Sequence, residues 1–286
     1  MADPNAANAA QWEHWNTVAG PKWVAFSDKL DRQLSQVGQL LLQAAAPRPG
    51  ESVLDIGCGT GGMLVPLAEA VGDRGKIVGI DLSDPMLGAA WRRVTRASLG
   101  NVQLVAGDVQ IHTFVSATFD LLVSRFGVMF FADPVAAFRN LYQAAGASGR
   151  LCFVCWGPLQ ENPHWALTLA AVARRLGPPA EKPPHAPGPM AFSDPAYVEQ
   201  ILRSAGFVDI AISRESPALV GTSPEEEAAF MCTMGPAASI IAEREPTAEV
   251  INQIKVELAA HFNQFVSGGR MLIPASIYLV QARRTG

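Results

Sequence analysis

Charge is scarce in this chain. Of its 286 residues, 17% are Asp, Glu, Lys or Arg, and the formal net charge is −4 at pH 7. A protein that grips nucleic acid needs a clustered basic excess, so this balance argues against a nucleic-acid partner. Arg92, Arg93 and Arg96 do fall together on one expected helix, and a solvated face accounts for them. Cysteine is scarce too, and Cys58, Cys152, Cys155 and Cys232 lack metal-ligand spacing. Cys152 and Cys155 sit three apart on an expected strand, where their side chains point to opposite faces. They read as core packing, and no metal is expected. No apolar run approaches the roughly 20 residues of a membrane span. The first residues, Met1-Ala2-Asp3-Pro4-Asn5, lack the basic and then apolar regions of a signal peptide, so a cytoplasmic location is the expectation. Apolar residues, at 49%, are abundant. The length suits one domain of usual size plus additions, with a full core.

The most informative stretch is Val53-Leu54-Asp55-Ile56-Gly57-Cys58-Gly59-Thr60-Gly61-Gly62. It reads as a short apolar strand running into a glycine-rich turn. A helix with Met63, Leu64, Leu67, Ala68 and Val71 on one face follows. In parallel α/β sheets, ligands sit at the carboxyl ends of the strands. Glycines there permit close backbone approach and positive φ. Two templates match the turn. Gly57-x-Gly59-x-x-Gly62 is the pattern of a dinucleotide fold. Gly57-x-Gly59-x-Gly61, with an acid two residues ahead, is the other. Asp55 favours the second, because a carboxylate would repel a pyrophosphate lying over the helix N-terminus.

The strands that follow end in polar groups at matching places. Strand two, over 76–81, ends at Asp81, a carboxylate suited to two ribose hydroxyls. Its alternative role is a helix cap, which Ser83 or Asp84 ahead of Pro85 fills better. Strand three, over 102–106, runs into Gly107-Asp108, a pair that also makes an ordinary turn. Strand four begins with Phe119-Asp120 and leaves through Ser124-Arg125-Phe126-Gly127-Val128-Met129-Phe130-Phe131.

Together these segments resemble the class I S-adenosylmethionine (SAM) methyltransferases, in the broad group that includes the ubiquinone and menaquinone C-methyltransferases. The resemblance runs from about Gly50 to Trp156. It continues more faintly through Phe192-Ser193-Asp194-Pro195 and Ala205-Gly206-Phe207. It implies a Rossmann-like α/β fold with a seven-stranded, mostly parallel sheet in the order 3-2-1-4-5-7-6. It also implies SAM as cofactor and S-adenosylhomocysteine as product. Asp55 would then organise the methionyl end, with Gly57, Cys58, Gly59, Thr60 and Gly61 forming the turn beside it. Asp81 and Leu82 would lie at the ribose and Met86 near the adenine. Asp108, flanked by Gly107 and Val109, would accept from the adenine amino group, and Ser124 and Arg125 complete the set. One departure is Ala147-Ser148-Gly149, where the family usually has Pro-Gly-Gly before strand five. That turn is remote from the cofactor. The exit of strand four also lacks the Asn/Asp-Pro-Pro-aromatic signature of many DNA, RNA and glutamine N-methyltransferases, which disfavours a macromolecular acceptor.

The chain divides into a helical lid, 1–49, and the cofactor domain, 50–286, with cap elements at about 158–192 and 217–272. Trp12, Trp15, Trp23 and Phe26 form an aromatic stripe that Gly20-Pro21 breaks into two helices. A third helix is expected over 28–45. These aromatics either pack on the sheet or, through Trp12 and Trp15, close over the methyl group, and the two roles are compatible. The first cap element holds a helix over 162–176 and a proline-rich loop over 177–189, too proline-dense to be helical. The second interrupts the link between strands six (207–213) and seven (276–283) with helices over 224–234 and 247–265. There Phe230, Met231, Met234, Phe262 and Phe265 supply a flexible apolar surface, with Phe130 opposite on the acceptor side. Ordinary helix packing would look the same.

Methyl transfer needs nucleophile, methyl and sulfur held in line with water excluded. A base is required only where the acceptor must lose a proton. His14, His112 and His164 are the candidates, with His164 nearest a likely place for the acceptor, although a lone His is more often structural. Arg125 either binds a carboxylate of SAM or acceptor, or forms a buried ion pair. The expected activity is methyl transfer to a small, apolar or aromatic molecule on carbon, oxygen or nitrogen. The alternatives are a SAM-binding enzyme that keeps its methyl, a non-catalytic SAM-binding partner protein, and, through Gly62, an NAD dehydrogenase. The oligomeric state stays open, a homodimer among the options.

Overall fold

Five segments whose carboxyl ends carry the polar groups just described form the parallel part of one sheet. They are β1 (Ser52–Ile56), β2 (Lys76–Asp81), β3 (Val102–Ala106), β4 (Phe119–Arg125) and β5 (Ala145–Trp156). The structure is a computed structural model that describes residues 8–181 and 183–285. The expectation for residues 1–5 therefore lies outside the described residues, as does Lys182 of the proline-rich loop. β6 (Val208–Glu215) and β10 (Ile277–Arg283) complete the sheet in the order β3-β2-β1-β4-β5-β10-β6. β10 runs antiparallel to both neighbours. It is this sheet's seventh strand in chain order, so the expected topology holds. β1 and β4 lie at the centre, and Val53, Leu54, Ile56, Leu121, Leu122 and Val123 are buried. Strands covered on both faces need such continuous apolar runs.

The parallel register carries Asp55, Asp81, Asp108 and Arg125 to one edge of the sheet. Between the strands run α5 (Leu64–Val71), α6 (Asp84–Arg96) and α7 (Pro134–Ala144), and α9 (Pro195–Ala205) precedes β6. One start signal recurs at three of these helices: Ser83, Asp133 and Asp194 each accept from a backbone N–H of the first turn, with a proline beside them. Each such cap stabilises its helix by about 1 kcal/mol.

The N-terminal segment folds differently from expectation. It comprises α1 (Ala9–Glu13), a π-helical turn (His14–Val18), α2 (Ala19–Ala25), α3 (Ser27–Gln33) and α4 (Ser35–Ala45). Gly20-Pro21 does not break the stripe. It sits in the first turn of α2, where the missing proline N–H has no intrahelical partner to lose. The helix expected over 28–45 bends at Leu34 (φ −93°, ψ 12°) into α3 and α4. The turn expected at Ala147-Ser148-Gly149 lies inside β5 as an irregularity, since Phe119 pairs with Ala145 but Leu121 with Arg150.

α8 (Pro163–Leu176) follows β5. The long insertion holds α10 (Pro224–Met231), α11 (Gly235–Arg244) and α12 (Ala248–Phe262), the first and last shorter than expected. It also holds β7 (Ala218–Gly221), β8 (Val266–Ser267) and β9 (Arg270–Pro274), an unexpected antiparallel sheet in the order β7-β9-β8. The three helices pack on α8, and β7 lies against α3 and α4. No helix among the described residues is long and apolar enough to cross a membrane.

Candidate cofactor and acceptor site

Gly57, Gly59 and Gly61 all have positive φ, at 65°, 57° and 82°. At Gly57 a second constraint applies, because a Cβ there would stand 2.8 Å from Gly127 Cα. The glycine turn and the exit loop of β4 therefore touch backbone to backbone. Ser124 fastens them: its Oγ donates to the Ile56 carbonyl (2.7 Å) and accepts from Gly127 N–H (3.1 Å). Cys58 and Thr60 within the turn, and Val109 beyond β3, are buried, and Met86 Cε lies over Gly59. Burial pushes the Cys58 thiol well above its ordinary range, so it packs and does not react.

Three carboxylates line this edge. Asp81 Oδ2 accepts from Gly59 N–H (2.7 Å) and Oδ1 from Ser83 N–H (2.8 Å). Ser83 caps α6, as expected, and each Asp81 oxygen retains a lone pair. Burial raises the Asp81 carboxyl against the pull of these N–H groups. Asp55 is 1% exposed, and its Oδ2 has no hydrogen-bond partner among the described residues. Burial lifts its carboxyl to about 7, with Arg125 pulling it down and Asp81 adding to the rise. Asp108 accepts from Gln110 N–H (2.9 Å) and from the side chains of Asn8 (2.9 Å) and Gln110 (3.3 Å). Beside it a cavity of about 390 Å³ is lined by Leu82, Ala106, Gly107, Ile111 and His112, with Trp12 at its edge. That volume falls within the range of small-molecule sites.

The N-terminal segment is clamped to this edge. Asn16 Nδ2 donates to the Leu82 carbonyl (3.0 Å), and Asn16 Oδ1 accepts from Asp84 N–H (2.9 Å). Ser83 Oγ donates to the Trp15 carbonyl (2.8 Å). The two tryptophans part company here. Trp15 packs edge-on against Phe130 (4.9 Å between ring centres) and Trp23 (6.2 Å), whereas Trp12 is 51% exposed at the Asp108 end.

Arg125 forms the ion pair. Its Nη2 lies 3.0 Å from Asp31 Oδ1, and Asp31 Oδ2 lies 2.5 Å from Arg93 Nη1. The pair sits directly over Gly62, where a Cβ would stand 2.3 Å from Arg125 Nη2 and 2.4 Å from Asp31 Oδ1. Gly62 thus makes room for a salt bridge, which removes the main support for the dinucleotide template.

Beyond the ends of β4 and β5 lies an aromatic cluster. Phe126, at φ +66°, stacks on Trp156 with ring centres 4.2 Å apart and planes 7° off parallel. A bulky residue in that conformation is strained, and such strain concentrates at functional sites. Trp156 is 5.0 Å from His164 and 6.0 Å from Trp165, ring to ring. Both His164 ring nitrogens and Trp165 Nε1 are buried without hydrogen-bond partners among the described residues. Burial lowers the imidazole to about 3. The insertion closes over this cluster, with Gly235 against the Trp165 ring and Met234 buried beside it. Phe230 lies further out, edge-on to Phe26 (5.2 Å) with Lys29 Nζ 4.9 Å from its ring centre. His112 packs against Phe114 (4.6 Å), remote from the cluster in the cavity wall.

Residues 53–149 match the family model described as a methyltransferase domain. Nocamycin O-methyltransferase of Saccharothrix syringae is 32% identical over 197 residues, covering 66% of this chain and 70% of that protein. The chain belongs to the class I SAM-dependent methyltransferases. Aklanonic acid methyltransferase of a Streptomyces species is 36% identical over 117 residues, 41% of this chain and 53% of that protein. A SAM-dependent methyltransferase from Aquifex aeolicus shares the fold at TM-score 0.53 and 17% identity, over 92% of this chain and 98% of that one.

The cofactor of this methyltransferase is SAM, whose sulfonium supplies an activated methyl group when bound. The residues at the strand ends fit it. Asp81 has lone pairs for a diol, Asp108 lies beside a cavity of fitting size, and Asp55 has an unmet oxygen near the turn. Asn8, Asn16, Asp31, Phe126, Trp156 and Trp165 belong to no sequence motif that marks them for this edge. Amides among the N-terminal tryptophans were the only available hint for the first two.

Proposed function

We propose that this methyltransferase transfers the SAM methyl group to a small, largely apolar or aromatic acceptor held beyond the ends of β4 and β5. The observation that carries this reading is the enclosed cluster of Phe126, Trp156, His164 and Trp165, three of whose four ring nitrogens are buried without partners among the described residues. An aromatic acceptor would stack there while its polar group meets His164 and Trp165. Two relatives are named for methylating nocamycin and aklanonic acid, both small molecules. In this reading Asp81 holds the ribose hydroxyls, Asp108 the adenine edge and Asp55 the methionyl ammonium, with the glycine turn pressed close. The N-terminal helices serve as the lid and the insertion as the cap.

His164 acts here as a neutral hydrogen-bonding group that orients the acceptor, because an imidazole lowered to about 3 takes up little proton at neutral pH. Orientation alone can supply much of the rate in such a reaction. Free, buried thiols at all four cysteines suit a reducing cytoplasm.

The test is incubation with methyl-labelled SAM and a panel of phenol, quinol, carboxylic acid and amine acceptors. Label in an aromatic acceptor, with matching S-adenosylhomocysteine, supports the reading. SAM binding without S-adenosylhomocysteine across the panel would favour a protein that keeps its methyl group.

A further inference from the structure

We infer that the N-terminal segment reads the adenine of the cofactor through Asn8, whose carboxamide joins Asp108 in taking the hydrogens of the 6-amino group. The inference rests on the SAM site proposed above and adds to it a residue from outside the sheet.

The hydrogen bonds at Asp108 leave one place unfilled. Oδ2 accepts from Asn8 Nδ2 at 2.9 Å and Gln110 Nε2 at 3.3 Å, and Oδ1 accepts from Gln110 N–H at 2.9 Å. A carboxylate offers about four acceptor positions, so one remains on Oδ1. Asn8 is 7% exposed, and its own Oδ1 is buried without a partner among the described residues. Gln11 Oε1, three residues on, is buried and unmatched as well. Leaving such an acceptor unmade is costly. Two buried acceptors without a donor thus lie on the segment whose Asn8 carboxamide is bonded to Asp108 in the cavity wall.

A purine 6-amino group presents two N–H donors in one plane. Asp108 Oδ1 and Asn8 Oδ1 would each take one, and side-chain amides pair well with adenine edges. The adjoining cavity, about 390 Å³, is lined by Leu82, Ile111 and Trp12 along with Asp108. A different reading makes Asn8 a plug that imitates the adenine amino group. In that case removing the amide would free Asp108 and tighten binding, an outcome that the titration separates from adenine recognition. Asn8 also travels with the segment that Asn16 and Trp15 fix to the 82–84 loop. Adenine recognition and seating of that segment are thereby coupled.

The experiment is calorimetric titration of the full chain with S-adenosylhomocysteine and with S-inosylhomocysteine, which carries a 6-oxo group instead of the 6-amino group. Wild type should prefer the adenine ligand. Asn8→Ala should weaken the adenine ligand about tenfold, the size of one modest hydrogen bond, and shrink the preference by the same factor. Asn16→Ala loosens the segment without touching the base, so it should weaken both ligands alike and preserve the preference. Tighter binding by Asn8→Ala, or an unchanged preference, would overturn the inference while leaving the SAM site intact. Failure of wild type to bind S-adenosylhomocysteine would overturn both.

Discussion

Replacing Asp55 with Asn should make the protein's stability less dependent on pH, at the expense of cofactor binding. Asp55 is buried, and its carboxyl is raised from 3.8 to about 7. A group whose pKa is higher folded than unfolded holds its proton more tightly in the folded state. Stability therefore falls as pH rises between the two values, and the full penalty persists above about pH 7. The rise from 3.8 to about 7 corresponds to a ceiling of about 4 kcal/mol. Asn cannot ionise, so it escapes this penalty, but it puts an NH2 with two donors where an unmatched oxygen stood, at a pH-independent cost of about 2 kcal/mol. Asp55→Asn should then be less stable than wild type by about 2 kcal/mol near pH 4 and more stable by about the same near pH 8. Urea unfolding of the ligand-free protein at both pH values reads the difference directly. The pH-dependent part is the decisive quantity, because the constant cost of the amide cancels from it. A stability difference equal at the two pH values would refute the reasoning. The same variant should bind S-adenosylhomocysteine more weakly, as expected where a site residue is retained despite its cost to stability.

Three further outcomes follow from buried contacts. Glu227 is 1% exposed and takes hydrogen bonds from Lys29 (2.5 Å) and Gln33 (2.9 Å), so Glu227→Ala should cost about 3 kcal/mol. The pair Lys29→Met with Glu227→Leu should recover most of that loss in urea unfolding; no recovery would mean the carboxylate matters for some other contact. Gly62→Ala drives a methyl group into the Arg125–Asp31 pair and should cost about 1–3 kcal/mol. In an Asp31→Ala background the cost should be much smaller, and strictly additive effects would show that the salt bridge is not what needs the glycine. His164→Phe keeps an aromatic ring while removing two unmatched nitrogens. It should stabilise the free protein by about 1–2 kcal/mol and lower kcat/KM. The shape of the pH–rate profile between pH 6 and 8 should not change, and loss of an ionisation from that profile would make His164 a base after all.

The parallel sheet was legible because each of its strands announces itself locally. A strand ends at an acid or a turn, and after strand two Ser83-Asp84-Pro85 then starts the next helix. The second sheet was not legible. β7 and β9 are four and five residues long and separated by three helices, so neither shows a pattern that stands out from a loop. α11 escaped notice because it begins Gly235-Pro236 and carries little apolar periodicity. At the candidate site, the glycine turn, Asp55 and Asp81 stand out at the strand ends and Asp108 follows from the family resemblance, whereas Arg125 has two readings that only its partner decides. Asp31 lies 94 residues away, and no local pattern links the two. Asn8 and Asn16 act through carboxamides on a segment whose tryptophans drew the eye, and Trp12 turned out to face the opposite end of the site from Trp15.

The most direct measurement is a crystal structure of the protein with S-adenosylhomocysteine. The ribose hydroxyls should lie on the Asp81 carboxylate, the methionyl end over Gly57–Gly61 beside Asp55, and the adenine edge at Asp108 and Asn8. The sulfur should face the cluster of Phe126, Trp156 and His164. A nucleoside bound elsewhere, or a sulfur turned away from that cluster, would contradict the assignment of both cofactor and acceptor.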